Sequence, residues 1–224
     1  MADDAPPSPT RVRVWDVPVR LVHWLMVLTV AAAWWTAETG RLEWHQYAGY
    51  ALLALVIFRI YWGFFGSATA RFRQFVRGPR VIGSYLKGRW AASPGHNPLG
   101  ALSVLALLAL LLVQVVLGLF TVDVDGIESG PLSSYVSFEA GRVAAAWHDK
   151  LFDALLWLIG LHIAAVLFYV LYKKESLISA MLHGKRAHAT DPSELKRASR
   201  ARLVIGVVLA SALTWVVSRG FQFG

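Results

Sequence analysis

Four of the seven histidines, His23, His45, His148 and His162, fall at long apolar segments of the 224-residue chain. An imidazole can ligate a metal, carry a proton or sit neutral in a hydrogen bond. Inside an apolar span, an ionisable side chain marks a functional position by default. The spacing narrows the chemistry. His148 and His162 lie fourteen residues apart in one segment. On a helix that interval is roughly 1,400°, within about 40° of whole turns, so both rings project from nearly the same face. They stand about 21 Å apart along the axis, too far for one ion to bridge. The interval suits two flat cofactors stacked through a membrane, one toward each surface.

The elements that must carry these residues are membrane helices. The chain is 56% hydrophobic with a mean hydropathy of +0.50, too apolar for an ordinary soluble domain. Five segments approach the about 20 residues a bilayer-crossing helix needs: Val17–Ala37, His45–Phe65, Leu99–Val122, His148–Tyr172 and Leu203–Ser218. Helices satisfy every backbone group within the segment, and these continuous runs lack the short alternation of a barrel strand. Charges of both signs precede the first span and tryptophans close it, so it reads as a retained helix, despite an Ala-x-Ala pattern at Ala31–Ala33. With no cysteine, a disulfide, an iron–sulfur cluster, a thiolate metal site and a covalently attached c-type haem are all excluded.

The net charge of +8 is distributed as a topology signal. Basic residues gather in the N-terminal tail (Arg11, Arg13, Arg20), in the loop after span two (Arg71, Arg73, Arg77, Arg80, Lys87, Arg89) and in the loop after span four (Lys173 to Arg202). The alternate loops carry Arg41 and Arg142 against Asp123, Asp125, Glu128 and Glu139. This is a positive-inside pattern. It predicts a membrane protein with the N-terminus cytoplasmic and the C-terminus on the far side, and it gives no reason to expect nucleic acid. Trp and Tyr at the span ends read as an interfacial belt. His96, His183 and His188 read as solvated or interfacial. "DPSELKRASRAR" reads as an amphipathic piece of linker capped at Asp191 or Ser193.

That topology sorts the histidines by depth. His45 and His148 fall near the outer surface, His23 and His162 toward the cytoplasm, and each pair comes from two different helices. Two imidazoles facing one another across a bundle suit six-coordinate haem iron, which leaves no open position and favours electron transfer. Zinc wants a tetrahedral set with Cys or carboxylate help. A proton relay remains an alternative, although it does not require pairing by depth. Arg59 lies fourteen residues after His45, at the depth of His162. It is a candidate cation for a haem propionate, or else it snorkels to the headgroups. Gly49, Gly118 and Gly160 permit either a flat ring or a helix contact.

"RVWDVPVRLVHWLMVLTV", "WHQYAGYALLALVIFRIYWGFFGS", "ARFRQFVRGPRVIGSYLKG", "GHNPLGALSVLALL", "GLFTVDVDGIESGPL" and "LHIAAVLFYVLYKKESLISAMLHGKR" resemble bacterial cytochrome b561-type proteins. The likeness is strongest to the b-type cytochrome subunit of nickel–iron hydrogenases and its relatives, over residues 11–187. The resemblance implies a four-helix core holding two b haems, with His23, His45, His148 and His162 as axial ligands. It also implies electron exchange between the quinone pool and a partner. The segment after Arg202 lies outside the family core.

The fold expected is therefore all-α: an integral membrane bundle with a four-helix dihaem core and a fifth C-terminal transmembrane helix. Its expected organisation is a cytoplasmic tail (1–16), the cytochrome domain (17–183), a basic linker (184–202) and the last helix with the C-terminus (203–224). The function expected is electron transfer between quinone and a periplasmic c-type cytochrome or hydrogenase subunit. Membrane lipid is the surroundings, and a homodimer is compatible with the small residues of the fifth span. His96 and the loop Arg71–Arg80 are candidates for a quinone site. Two other classes stay open: a stand-alone superoxide:quinone oxidoreductase, and a non-redox membrane protein using its histidines for protons.

Overall fold

The structure is a computed structural model that describes residues 10–89, 95–125, 128–188 and 197–222. A short strand β1 (Thr10–Arg13) leads into α1 (Val17–Glu38) and α2 (Leu42–Phe65). Two small helices follow, α3 (Phe72–Phe75) and α4 (Pro79–Leu86), before α5 (Pro98–Leu119) and α6 (Phe138–Leu171). The chain continues through α7 (Leu177–His183), strand β2 (Lys185–His188) and α8 (Arg200–Ser218). Helices α1, α2, α5, α6 and α8 are long and apolar enough to cross a bilayer; each contains its expected span, except that the third expected span runs on to Val122, past the end of α5, and the fourth to Tyr172, past the end of α6. The chain is a multi-pass, helical membrane protein.

The helix starts are written in the sequence. Asp16 caps α1 by accepting from the Val19 amide at 2.9 Å, with a proline in the first turn. Asn97 caps α5 through the Gly100 amide at 2.7 Å, and Ser137 caps α6 through the Ala140 amide at 3.2 Å. Helix α6 begins ten residues before the start expected at His148, because "FEAGRVAAAW" is rich in alanine and holds no proline. His148 therefore sits inside a continuous helix rather than at its tip.

Helices α1 and α2 form one antiparallel hairpin, α5 and α6 pack as a second pair, and α2 joins α5. Val56, Leu111, Val115 and Leu155 are buried at that junction. Helix α6 packs most extensively on α5 and meets the first hairpin through side chains, as Phe152 does with Trp34 at 6.4 Å. The fifth membrane helix, α8, lies against α2. A Cβ on Gly206 would meet the Tyr61 ring at 2.6 Å, so the glycine is what lets the two helices approach.

One end of the bundle carries the acidic loops around residues 39–41 and 120–137. The other carries α3, α4, α7 and the basic residues; these are called the acidic and basic ends. At the basic end the tail and the linker are not free segments. Strands β1 and β2 pair antiparallel, with Thr10 opposite His188 and Arg13 opposite Lys185, so the all-α bundle carries one short ribbon. Gly184 makes the corner with φ +79°, and a Cβ there would meet the Trp15 carbonyl at 2.7 Å. Asp16 ties the corner to α2, accepting from the Trp62 indole at 2.9 Å and from the Ser67 hydroxyl. Helix α4 is pinned to α6 by a hydrogen bond between Tyr85 and Tyr169. The linker cap expected at Asp191 or Ser193 lies outside the described residues, and α8 is instead capped by Ser199 through the Arg202 amide.

Candidate functional site

Helices α2 and α6 bring His45 and His148 together. Their ring centres are 6.0 Å apart, with the planes at 89°. Each ring is tied by Nδ1 to a backbone carbonyl: His45 to Ala33 at 2.9 Å and His148 to Gln114 at 2.8 Å. A carbonyl oxygen only accepts, so in both rings the proton resides on Nδ1 and Nε2 keeps its lone pair. This is how a metal-binding imidazole is prepared, since the outer hydrogen bond fixes tautomer and orientation. With metal–nitrogen bonds of about 2.0–2.1 Å, two imidazoles on opposite sides of one metal stand roughly 6 Å apart, centre to centre. The pair fits one iron.

The neighbour of His148 on α5 is made for it. The Gln114 side chain donates from Nε2 to the His148 carbonyl at 2.7 Å, while the Gln114 backbone carbonyl accepts from His148 Nδ1. One turn on, a Cβ at Gly118 would come within 2.9 Å of the His148 ring. Of the three glycines left open by the sequence, Gly118 is the one that makes room for a ligand ring. Gly49 and Gly160 border open space, with no atom within 4 Å of a Cβ built there.

The other two histidines meet at the basic end. His23 on α1 is within electrostatic reach of His162 on α6. His162 Nδ1 lies 3.2 Å from the Ser103 hydroxyl, and His23 Nδ1 is buried without a protein partner. All four histidines are half-buried, as side chains lining the gap beside α6 should be. Helix α6 presents His148 toward His45 of α2 and His162 toward His23 of α1.

Arg59 does not snorkel to the surface. It is 8% exposed, its guanidinium lies over the Phe72 ring at 5.4 Å, and Nη1 has no hydrogen-bond partner. Leaving a charged donor unpaired inside a protein is expensive, so the position asks for an anion. His96 also departs from the solvated role expected of it. Its ring is sandwiched between Trp15 at 4.5 Å and Phe75 at 4.6 Å. Burial first, then the positive charge of Arg59 and the proximity of His162, push His96 down to about 3. His183 is exposed on α7, bonded to Ser179. The side chain of His188 lies outside the described residues.

Two site residues escaped the sequence reading, Gln114 and Ser103, while His96 entered it as a solvated side chain or a quinone-site candidate. A signal existed for both. Ser103 and Gln114 are the polar side chains of an otherwise apolar α5, eleven residues apart. That interval is roughly three turns, so they share a face, and each addresses one histidine of α6.

Among the described residues no three His, Asp or Glu side chains converge on one point. The four histidines stand in twos instead, His45 beside His148 and His23 near His162. No curated protein and no solved structure matches the chain. A sequence model of the family described as prokaryotic cytochrome b561 matches residues 14–184. That stretch takes in all four histidines, Arg59, His96, Gln114 and Gly118, and leaves α8 outside. With three-quarters of its length matched, the chain belongs to the prokaryotic cytochrome b561 family.

Proposed function

We propose that this membrane cytochrome carries electrons between the quinone pool and a periplasmic redox partner, using two b haems as a transmembrane wire. One haem is held by His45 and His148 near the acidic end, the other by His23 and His162 near the basic end. The observation that carries the reading is the outer pair: two rings at 6.0 Å, each with Nδ1 tied to a carbonyl and Nε2 left for iron. Bound haem supplies one-electron exchange at iron, and two histidines per iron leave no position for oxygen. The protein's own part is to fix the ligands, exclude water and hold charge. The ligand spacing on α6 separates the sites by about 21 Å, a large share of the about 30 Å hydrocarbon core.

The basic end is assigned to the cytoplasm from its excess of Lys and Arg, which puts the N-terminus inside and the C-terminus of α8 outside in a bacterial inner membrane. The acidic end then faces the periplasm and offers Asp123, Asp125, Glu128 and Glu139 as a docking face for a c-type cytochrome or a hydrogenase subunit. Arg59 is the cation for a propionate of the inner haem. Quinone exchange is placed beside the inner haem.

The experiment is haem stoichiometry by the pyridine adduct on purified protein, with reduced-minus-oxidised spectra of His23→Ala and His148→Ala. Two b haems per chain, each variant losing a different one, is the expected result. Folded protein without haem overturns the proposal. Reduction by a quinol analogue and reoxidation by cytochrome c in proteoliposomes then test the two partners.

A further inference from the structure

The structure points to His96 as a second donor in the inner anion seat, which we infer to be a two-sided clamp, Arg59 and His96, on one haem propionate. This rests on the haem reading above and extends it to a residue outside the four ligands. His96 comes from the loop before α5 and Arg59 from α2, yet a relay of ring contacts joins them. The Arg59 guanidinium lies over Phe72, Phe72 touches Phe75 at 5.8 Å, and Phe75 is packed on His96 at 4.6 Å. Arg59 and His162 are each close enough to His96 for their charges to act on it.

Two independent atoms ask for the same occupant. Arg59 Nη1 and His96 Nδ1 are both buried nitrogens without a partner. A structural role would have satisfied at least one of them from the protein, as Asp16 does for the Trp62 indole. A carboxylate oxygen serves both, since it accepts from a guanidinium and from a neutral imidazole N–H at once. The neutral ring fits this task. Its burial between Trp15 and Phe75 keeps it uncharged, so it donates one proton to the carboxylate without adding a second positive charge beside Arg59. The aromatic walls exclude water, which strengthens both bonds. The nearby acid, Asp16, is already occupied by the Val19 amide, the Trp62 indole and the Ser67 hydroxyl. The anion must therefore come from a ligand, and the propionate of a haem held by His162 is the carboxylate at that depth.

The test uses detergent-purified holoprotein and three variants: His96→Phe, His96→Asn and Arg59→Met. Asn keeps an N–H donor close to the position of Nδ1, whereas Phe keeps only the packing. The readouts are haem content, the propionate bending mode in the resonance Raman spectrum, and the midpoint potential of each haem. In His96→Phe the propionate mode of one haem shifts and that haem's potential falls, because a less neutralised carboxylate favours ferric iron. His96→Asn restores both toward the parent, and the haem ligated by His148 is unchanged. If both haems are present and Arg59→Met shifts the mode while both His96 variants leave mode and potential untouched, the clamp is wrong and the dihaem reading stands. If the parent protein binds no haem, the earlier reading fails first and the clamp with it.

Discussion

Gly118→Ala puts one methyl group against the ring that the outer site depends on. The new Cβ would lie 2.9 Å from Cε1 and 3.2 Å from Nδ1 of His148. Ordinary carbon contact is about 3.5 Å, so the ring must retreat by roughly 0.6 Å. The retreat stretches the 2.8 Å bond from Nδ1 to the Gln114 carbonyl to about 3.4 Å, past the useful range. His148 then loses the contact that fixes its tautomer. Loss of such an outer-layer bond weakens metal retention 10- to 100-fold, roughly 1.4–2.8 kcal/mol. In a bare helix the same change is stabilising by about 1 kcal/mol, so a loss cannot come from helix propensity. The assay is haem per chain and reduced-minus-oxidised spectra after extensive washing. The expected result is depletion of one haem with the other intact, and the surviving haem doubles as evidence that the variant folds. Full retention of both haems with unchanged spectra would refute the reasoning, because it would mean that the His148 ring has room to spare.

Gln114→Leu removes the side-chain donor to the His148 carbonyl but spares the backbone acceptor, so depletion of the same haem should be milder than in Gly118→Ala; equal or greater depletion would mean that the side chain, rather than the carbonyl, holds the ring. Asp16→Ala strips the α1 cap and orphans the Trp62 indole, costing about 1 kcal/mol for the cap and roughly 1–3 kcal/mol for the unpaired donor. Thermal unfolding in detergent should show the loss, and an unshifted midpoint would show that the corner is held elsewhere. The chain has no cysteine, so single cysteines at Ser84 and Ser134 report topology directly. A membrane-impermeant maleimide should label them from opposite faces of sealed vesicles, and labelling from one face would overturn the assignment of the two ends.

In the proposed function a single helix carries one ligand of each pair. Ser137 starts α6 early, so His148 and His162 share one unbroken helix and their mutual register is fixed by helix geometry alone. Each partner histidine then comes from the other hairpin, and the gap between α6 and that hairpin determines whether a flat cofactor enters. A core of Leu and Val near α5 closes the bundle on one side. Glycine at 118 and glutamine at 114 shape the wall beside His148.

Periodicity and composition in the sequence were enough for the five apolar helices, and charge for the expectation of two unlike ends. These depend on local quantities: about 1.5 Å and 100° per residue, and the cost of moving charge through lipid. Tertiary structure alone decided which carbonyl ties each imidazole, since Ala33 and Gln114 reach their histidines across helices. It also decided that Arg59 is buried rather than snorkelling, because Phe72 folds back over it. The burial of His96 between Trp15 and Phe75, and the pairing of the tail with the linker, were likewise invisible. Each joins residues far apart in the chain, and such contacts depend on how helices pack, which a one-dimensional pattern of polarity does not encode.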